Sequence, residues 1–361
     1  MVKGGAVMKK EIRVGDTLIG GTAPITIQSM CNTPTEDVDA TMEQIRRLED
    51  AGCEIIRLTV PDENAVEGFR EIKRRTRIPV VADIHFDYRM AIAAIDAGAD
   101  KIRINPGNIG GEENVRAVVR KAAECHVPIR VGVNGGSLER DILARYGRVT
   151  ARGLAESALR NVALLEKFDF DDIVISLKSS DVKINFDAYR IVNEESDYPL
   201  HIGVTEAGTP ARGKIKSAAG IGALLLEGIG STMRVSLTAD PVEEIHFAKA
   251  LLTSLGIREE GIQVVSCPTC GRTQVNLEKI AEEVERRAGK LMESGFAGKG
   301  IKLAVMGCAV NGPGEAREAD YGVACGRGEG LLFAKGKTIK KVKEEDIAEE
   351  LIRLVKNDRD S

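Results

Sequence analysis

Three cysteines in the last third of the chain have the spacing of metal ligands. Cys267 and Cys270 stand in the segment S-C-P-T-C-G-R-T, and Cys308 follows in M-G-C-A-V-N-G-P-G-E. A Cys-x-x-Cys knuckle of this kind binds structural zinc, but spaced thiolates also hold iron–sulfur clusters. The residues alone leave both kinds of metal centre open.

The fourth ligand of such a centre has two candidates. The turn N-G-P-G would bring the carboxylate of Glu315 back toward the thiols. A carboxylate on iron exchanges readily and would leave that iron open to a substrate. Cys325 would instead complete the four strong ligands that zinc requires, since no histidine follows His246.

A second set of polar residues alternates with apolar ones in segments that are typical of β-strands. In K-I-R-I-N, Lys101, Arg103 and Asn105 share one face, because side chains alternate along a strand. Parallel barrel strands are usually near-continuous apolar runs, so we expect the polar face to point into the barrel, with nearly all of these residues late in their strands. Five cations from five strands follow this pattern: Arg57, Arg103, Arg130, Lys178 and Arg234.

Like charges at one mouth predict an anionic ligand. They would repel one another in a partly desolvated cup unless an anion joined them. A guanidinium group suits two-point contact with phosphate, so we expect a substrate with more than one phosphate. The glycine-containing segment 211–222, interpreted as a loop after the seventh strand, is a further candidate phosphate site.

Two acidic residues stand among these cations as candidate catalytic groups. They are Asp83 in A-D-I-H and Glu206 in V-T-E-A-G, and either could also be only a counter-ion. Glu206 lies on a predicted loop beside an Ala-Gly pair, a placement that suits a proton donor. His85 and His201 are predicted to be structural.

The elements that would position these residues repeat regularly. A strand at 24–30 and a helix at 37–52 begin eight strand–helix units. That series has the count and length of a (β/α)8 TIM barrel, whose catalytic residues lie at the carboxyl ends of the strands. A doubly wound sheet is the alternative, but no long break marks a reversal of strand order.

The pattern changes after Gly256, where a small α+β domain is predicted. A short strand runs into Cys267, and a charged helix follows at 277–293. A further strand, a hairpin and a helix at 344–356 complete the domain. We therefore divide the chain into a barrel domain, 1–258, and a metal-binding domain, 259–361.

Composition excludes several classes of protein. The 361 residues include 51 basic and 55 acidic side chains, and the net charge of −4 argues against general nucleic-acid binding. No apolar run approaches the ~18 residues of a membrane span, and no signal-peptide segment is seen, so we expect a cytoplasmic protein. Seven cysteines do not suit a disulfide framework; Cys31, Cys53 and Cys125 are predicted to be buried.

Long segments of the chain resemble one enzyme family. They are C-P-T-C-G-R-T, M-G-C-A-V-N-G-P-G-E-A-R-E-A-D-Y-G, Q-S-M-C-N-T-P-T-E-D, V-A-D-I-H-F-D, I-R-I-N-P-G-N, I-R-V-G-V-N-G-G-S-L and R-V-S-L-T-A-D-P. These segments are similar to those of the 4-hydroxy-3-methylbut-2-enyl diphosphate synthases, the iron–sulfur enzymes of the methylerythritol phosphate route to isoprenoids. The resemblance covers nearly the whole chain and fits the short form of the family, which lacks an extra domain before the iron–sulfur domain.

The resemblance implies a substrate, a cofactor and a set of roles. The enzyme would open 2-C-methyl-D-erythritol 2,4-cyclodiphosphate and remove a hydroxyl, using electrons from ferredoxin or flavodoxin. A 4Fe-4S cluster would be held by Cys267, Cys270, Cys308 and Glu315, with Asn311 near it. Glu206 would be the acid–base residue. The residues implied to bind the diphosphate are Arg57, Arg103, Arg130, Lys178, Arg234 and Ser236, with Asn134 nearby.

Two other functions remain open. Lys178, at the end of the sixth predicted strand, could form a Schiff base in a phosphosugar aldolase whose tail holds structural zinc. The chain could also be a phosphate-binding regulatory module without turnover. Iron and sulfide in the protein would contradict the aldolase, and product formation under reductant would contradict the module.

Barrel topology predicts a homodimer with shared active sites. Strands run toward the catalytic mouth, so the eighth helix, 241–256, would carry the chain about 24 Å away from it. The linker from Gly256 to Gly261 is too short for the metal-binding domain to fold back over its own barrel. A head-to-tail pair, in which each such domain caps the partner's barrel, would unite the two halves, and the resemblance implies the same arrangement.

Overall fold

The computed structural model describes residues 9–294, 296, 300–308 and 318–357. The chain divides into two compact units, one up to Leu251 and one from Leu252. None of the helices in the described ranges combines the length and the apolar character that a membrane span needs.

The first unit is a ring of parallel strands that follows a short antiparallel hairpin, β1 (Ile12–Val14) and β2 (Thr17–Ile19). The ring strands are β3 (Thr26–Met30), β4 (Ile55–Thr59), β5 (Val80–Asp83), β6 (Lys101–Ile104), β7 (Ile129–Asn134), β8 (Ile173–Lys178), β9 (His201–Gly203) and β10 (Thr232–Arg234). Their order is β8-β7-β6-β5-β4-β3-β10-β9, and a bridge between Ile175 and Leu200 closes the ring. The predicted (β/α)8 barrel is therefore confirmed, and the doubly wound alternative is wrong.

Helices connect the ring strands. They are α1 (Val38–Ala51), α2 (Glu63–Arg75), α3 (Tyr88–Asp96), α4 (Glu112–Cys125), α5 (Arg140–Tyr146), α6 (Ala151–Glu166), α7 (Val182–Glu195), α8 (Pro210–Leu226) and α9 (Pro241–Ser254). Local sequence explains their ends: the Asp37 side chain accepts a hydrogen bond from Ala40 N at the start of α1, and Gly52 ends that helix with a left-handed φ of 102°. The segment 211–222, predicted as a loop, is instead the body of α8, because Pro210 opens that helix.

The inside of the barrel has an apolar floor below a polar layer. The floor is one cluster in which the hairpin packs against strand residues: Ile12, Val14, Ile19, Ile55, Val81 and Val174. Arg57, Asp83 and Ser176 each follow one of these strand residues by two positions. Because side chains alternate with a period of two, they also point into the barrel. The hairpin thus closes the amino-terminal end of the barrel, and polar side chains occupy the other end.

The cysteines of this unit were predicted to be buried, and two of them are. Cys31 and Cys53 lie in the core, and burial, the largest cause, raises the pKa of each thiol to about 12. Cys125 is exposed, so the prediction is wrong for this residue. Its position explains the difference: the buried stripe of α4 ends at Ala122, one turn before Cys125.

The second unit is a mixed sheet with helices on one face. Its strands, in spatial order, are β11 (Ile262–Ser266), β12 (Ile301–Met306), β13 (Tyr321–Gly326), β14 (Glu329–Ala334) and β15 (Lys337–Lys343), and its helices are α10 (Leu277–Glu293) and α11 (Ile347–Asn357). The first three strands are parallel, and β14 and β15 add as antiparallel neighbours. The α+β prediction is confirmed. The edge strand β15 was not predicted, because its exposed lysines obscure the alternation that marks a strand.

Candidate active site

A cavity of about 350 Å³ opens at the carboxyl ends of the ring strands. It is lined by all of the barrel residues that were predicted individually as site residues: Arg57, Asp83, Arg103, Arg130, Asn134, Lys178, Glu206, Arg234 and Ser236. The lining includes no residue of the predicted phosphate segment 211–222. Met30, His85 and Glu244 line it as well, although no part in the site was predicted for them. The structure therefore brings the predicted barrel residues together, while their individual roles stay predictions.

Asp83 is a buried carboxylate that holds two of the arginines. Arg103 Nη1 donates to its Oδ1 at 3.2 Å, and Arg57 Nε lies 3.5 Å from its Oδ2. Burial alone would raise the pKa of Asp83, but the positive charges of Arg57 and Arg103 outweigh it and lower the pKa below its usual range. At neutral pH Asp83 is therefore ionised, and its charge is paired with both arginines.

Glu244 is the buried carboxylate that pairs with Arg234, as Asp83 pairs with its two arginines. It lies in the first turn of α9, is 3% exposed, and its Oε2 is 3.4 Å from Arg234 Nε and 3.4 Å from Ser29 Oγ. Its other oxygen accepts a hydrogen bond from Leu237 N at 2.9 Å. Sequence reasoning missed Glu244, because an acid in the first turn of a helix is ordinary and nothing in P-V-E-E-I-H shows that it points into the site.

Met30 gives two guanidinium groups a weak acceptor. Its Sδ lies 3.2 Å from Arg57 Nε, 2.7 Å from Arg57 Nη2 and 3.4 Å from Arg234 Nη1. A thioether accepts hydrogen bonds poorly. These N–H groups therefore remain available to a stronger acceptor, such as a phosphate oxygen, that enters the cavity.

Arg130 and Lys178 differ from the other cations of the cavity. Within the described ranges, no ion pair joins either of them to a carboxylate. Arg130 is fully buried, with Nη1 3.5 Å from Gln28 Oε1, and its Nε and Nη2 have no partner in the same ranges. Lys178 is half-buried, and burial, with the charge of Arg57 next, lowers its pKa well below the ordinary range. The cavity is therefore lined by more basic groups than carboxylates, an imbalance that suits an anion.

Glu206 is a carboxylate of a different kind. It is exposed at the rim of the cavity and has a left-handed backbone, with φ at 51°, which is uncommon for a residue with a side chain. None of the ion pairs in the described part of the chain involves it. Its side chain thus reaches the cavity without a fixed cation among the described residues, in contrast to Asp83.

The histidines predicted to be structural lie in different places. His201 is buried inside the ring, where its Nδ1 is 2.5 Å from Thr232 Oγ1 and its backbone carbonyl accepts a hydrogen bond from Tyr189. These contacts tie neighbouring elements together. His85 instead lines the cavity.

Two cysteines of the second unit, Cys267 and Cys308, lie at one edge of its sheet. Cys267 follows β11 directly, and the register pairs Ser266 with Val305, so Cys308 emerges at the same edge from the neighbouring strand. Gly307 N donates a hydrogen bond to Cys267 Sγ at 3.2 Å. Cys270 is exposed, and a backbone hydrogen bond from Arg272 is the main cause that lowers its pKa. Thiols that accept N–H hydrogen bonds suit a thiolate-bound metal centre.

The rest of the predicted metal site is incomplete in the described residues. Glu315 and Asn311 lie in 309–317, outside the described ranges. Among the residues that are described, no three metal-ligating side chains are gathered closely enough to hold an ion. Cys325, the alternative fourth ligand, is fully buried in the core of the second unit, and burial, the largest cause, raises its pKa to about 12. Its surroundings therefore do not favour the thiolate that binds a metal.

Both units match models of one protein family. The GcpE TIM-barrel domain matches residues 9–249, and the GcpE protein C-terminal domain matches residues 263–357. Together these matches cover nearly all of the described residues.

Curated relatives are similar over almost their full length. The protein from Caldanaerobacter subterraneus subsp. tengcongensis is 56% identical over 348 residues, which are 96% of this chain and 96% of that protein. The protein from Clostridium tetani is 57% identical over 347 residues, 96% of this chain and 98% of that protein. Each is named 4-hydroxy-3-methylbut-2-en-1-yl diphosphate synthase (flavodoxin).

Proposed function

Because the chain belongs to the GcpE family, we propose that it converts 2-C-methyl-D-erythritol 2,4-cyclodiphosphate to 4-hydroxy-3-methylbut-2-enyl diphosphate. The reaction is a reductive ring opening with loss of a hydroxyl group. The observation that carries the proposal is the cationic cavity, in which Arg130 and Lys178 have no carboxylate partner within the described ranges. A cyclic diphosphate supplies the negative charge that this cavity lacks.

The proposed binding mode uses the pre-arranged cations. The two phosphate groups lie against the cationic residues of the cavity: Arg57, Arg103, Arg130, Lys178 and Arg234. Asn134 and Ser236 are neutral polar partners. Phosphate oxygens replace Met30 Sδ as the acceptor for Arg57 and Arg234, because they accept hydrogen bonds more strongly. Asp83 and Glu244 keep three of the guanidiniums in place during binding.

Glu206 is the proposed proton donor. The hydroxyl that is removed leaves as water, so a proton must reach its oxygen as the carbon–oxygen bond breaks. Glu206 lines the cavity and forms no ion pair among the described residues, whereas Asp83 is held ionised by two arginines. Catalysis by a positioned acid requires a group that can exchange its proton, which favours Glu206.

The cofactor of the proposal is a 4Fe-4S cluster, held by Cys267, Cys270, Cys308 and Glu315, with Asn311 near it. The cluster would supply the two electrons of the reduction, taken from a flavodoxin or a ferredoxin. Support comes from the thiols at one sheet edge, from the hydrogen bond that Gly307 N donates to Cys267, and from the flavodoxin in the names of the relatives. A cytoplasmic location is part of the same proposal.

One experiment separates this function from the aldolase. The protein, reconstituted with iron and sulfide without oxygen, is given the cyclodiphosphate with dithionite or reduced flavodoxin, and the product is identified by mass spectrometry. We expect the diphosphate product and no trapping of Lys178 by borohydride. A cluster-loaded protein that binds the substrate but forms no product, or a borohydride-trapped Lys178 adduct, would refute the proposal.

A homodimer with shared active sites is also proposed. In the first unit, Lys249 Nζ donates to the carbonyl of Ala51 at the end of α1, so α9 has returned to the floor side of the barrel before it ends at Ser254. Only residues 255–261 then separate it from β11. This short connection supports a cluster that acts on the partner's barrel.

The shared site is tested by mixing Lys178→Ala, assayed at a substrate concentration too low for it to turn over, with the inactive variant Cys270→Ser. Half of the dimers formed by random exchange are mixed, and each has one site with both halves intact, so about a quarter of the wild-type activity should return. Verified mixed dimers that stay inactive, or an active monomer, would contradict the shared site.

A further inference from the structure

Lys101 lies beneath the cavity and has no part in the proposed binding mode. It opens β6, points inward on the same face as Arg103, and pairs in register with Val81 of the apolar floor. Nearly all of the inward polar residues were predicted to lie late in their strands, and Lys101 is an exception. Its side chain is 0% exposed, and among the described residues its Nζ has no hydrogen-bond partner. A buried amine without a partner is costly for the fold, which calls for an explanation.

The charged groups that act on Lys101 from other strands of the ring are cationic or basic. Arg130 on β7 and Arg57 on β4 both disfavour its protonated form. His201 on β9 is close enough for Lys101 to disfavour its protonation in turn. The interior below the cavity therefore contains several basic groups, and the positive charge of one disfavours protonation of the others.

The carboxylate of Asp100, the preceding residue, does not neutralise Lys101. Asp100 favours the protonated amine only as the last of the causes that act on it. Its Oδ2 already accepts hydrogen bonds from Lys73 Nζ at 2.7 Å and from Val80 N at 2.7 Å. Its charge is thus shared with groups outside the barrel interior.

These surroundings determine which group gives up its proton. Burial, followed by the charges of Arg130 and Arg57, lowers the pKa of Lys101 well below the ordinary range. Guanidinium groups stay protonated at neutral pH, whereas an amine loses its proton readily when it is buried. Of Lys101, Arg57 and Arg130, the amine is therefore the group that loses a proton most readily; Lys178, the other amine with a lowered pKa, lines the cavity itself.

We propose that Lys101 is a positioning residue whose charge follows the occupancy of the cavity. It is a neutral amine in the empty site and takes up a proton from solvent when the cyclic diphosphate binds above it. The anion offsets the charges of Arg57 and Arg130, and the ammonium then strengthens the field that holds the anion, although Lys101 does not touch it. The inference rests on the proposed function, because it requires an anion in this cavity.

Proton uptake is the direct test. Binding of 2-C-methyl-D-erythritol 2,4-cyclodiphosphate to the cluster-loaded protein, without reductant, is measured by calorimetry at neutral pH in two buffers that differ in ionisation enthalpy. Each phosphorus of the cyclic diphosphate has a single, strongly acidic oxygen, so the ligand itself does not titrate there. We expect wild-type protein to take up protons, and we expect Lys101→Met to take up about one proton fewer and to bind about tenfold more weakly.

Thermal unfolding supplies a readout that a merely structural lysine would not give. On this proposal the unfolded chain at neutral pH binds a proton at Lys101 that the folded empty protein does not, so Lys101 contributes a rise in the free energy of unfolding with pH up to the ordinary lysine pKa near ~10.4. Lys101→Met should remove this slope and raise Tm by a few degrees, because it removes a buried unpaired amine. Lys183→Met, at an exposed ion pair on α7, is the matched control and should change neither quantity.

Other bases could also take up the proton, and the variants distinguish them. His201→Gln should keep the uptake that Lys101→Met loses. Uptake that survives in Lys101→Met, uptake that disappears in His201→Gln, or a lower Tm with unchanged affinity in Lys101→Met would each overturn the inference. If Lys101→Met does not fold, binding without proton uptake by the wild type would overturn it equally. A wild-type protein that does not bind the cyclodiphosphate would overturn the proposed function itself.

Discussion

The barrel cavity and the cysteine edge of the second unit are organised by different means. In the cavity, Asp83 and Glu244 are buried, and their ion pairs place guanidinium groups before any ligand arrives. At the cysteine edge, Cys270 is exposed, and the described residues gather no set of three metal ligands. Strand ends build the first site from within the fold, whereas the second is proposed to take shape around a bound metal. The two sites should therefore respond differently to mutation.

The largest expected effect separates the two sites completely. Cys270→Ser should remove the iron and all reductive activity, because a hydroxyl does not replace a thiolate on iron. Affinity of the barrel for the cyclodiphosphate should change little, since the cavity is complete within the first unit. Iron analysis, product assay and calorimetry measure the three quantities.

Cys325→Ala is the matched control for that change. Cys325 is buried in the core of the second unit, so this variant should keep its iron and its activity. Loss of iron from Cys325→Ala, together with its retention in Glu315→Ala, would show that the fourth ligand has been assigned wrongly.

Asp83→Asn tests whether the cavity is held by its own ion pairs. Removing one partner of a buried ion pair costs about 3–5 kcal/mol, because the remaining charges are left uncompensated. Arg57 and Arg103 would both lose their anion, so the free energy of unfolding should fall by that amount while the thiol site keeps its iron. Denaturant unfolding with iron analysis measures both effects. A variant as stable as wild type would mean that the ion pairs do not organise the cavity.

The same ion pairs predict a pH dependence. The folded pKa of Asp83 is lowered, so its stabilising contribution is fully present above the ordinary carboxyl value near ~4 and is lost as pH falls toward the folded value. Between these two values the unfolded chain binds the additional proton. The acid loss of wild-type stability should therefore include a component that is absent from Asp83→Asn. Unfolding curves between about pH 2 and 5 would reveal it.

Glu206→Gln should act on turnover rather than on binding. The amide preserves the size of the side chain but cannot donate a proton as an acid does. We expect kcat to fall by about a hundredfold and KM to change much less. Steady-state kinetics with reduced flavodoxin would measure both. A rise in KM with unchanged kcat would assign Glu206 to substrate binding instead.

Lys178→Ala should act on binding rather than on turnover of the bound substrate. Losing a charged hydrogen-bond partner typically costs about 1.5–3 kcal/mol, so affinity should fall roughly ten- to a hundredfold. Iron content should stay at the wild-type level. Lys183→Ala, at an exposed lysine on α7 that pairs with Asp187, is the control and should leave affinity unchanged. Equal affinity in both variants would contradict the cationic cavity.

The barrel half of the site could be predicted because strands obey a short, strict period. Once Arg57 alternates with buried isoleucine and leucine, its inward direction follows, and parallel strands bring their carboxyl ends to one mouth. Glu244 could not be found in this way, since its role depends on how α9 starts after the last strand. The alternation places Lys101 on the inward face, as the structure does, but it does not show that Lys101 lies at the level of the apolar floor, because the stagger of the strands is not visible in the sequence.

Errors in the prediction of elements have similar causes. The segment 211–222 contains three glycines and was interpreted as a loop, but Gly213 and Gly220 give α8 room to pack against Leu237 and Val204. The lysines of β15 obscured an edge strand. In the thiol site, spacing indicated the ligands but could not choose between zinc and iron–sulfur, because both metals take the same donors.

The smallest expected effect concerns the different roles of sulfur in the two sites. Thiolates at the sheet edge are proposed as ligands, whereas Met30 Sδ only occupies the N–H groups of Arg57 and Arg234 until phosphate replaces it. Met30→Leu keeps the apolar volume and removes the sulfur. Because a thioether is a weak acceptor, its loss should cost little in either state, and affinity should stay within about threefold of wild type. Calorimetry with the cyclodiphosphate measures it. A tenfold or larger loss of affinity would mean that Met30 is needed to orient the two arginines, so that sulfur would organise the barrel site as well as the metal site.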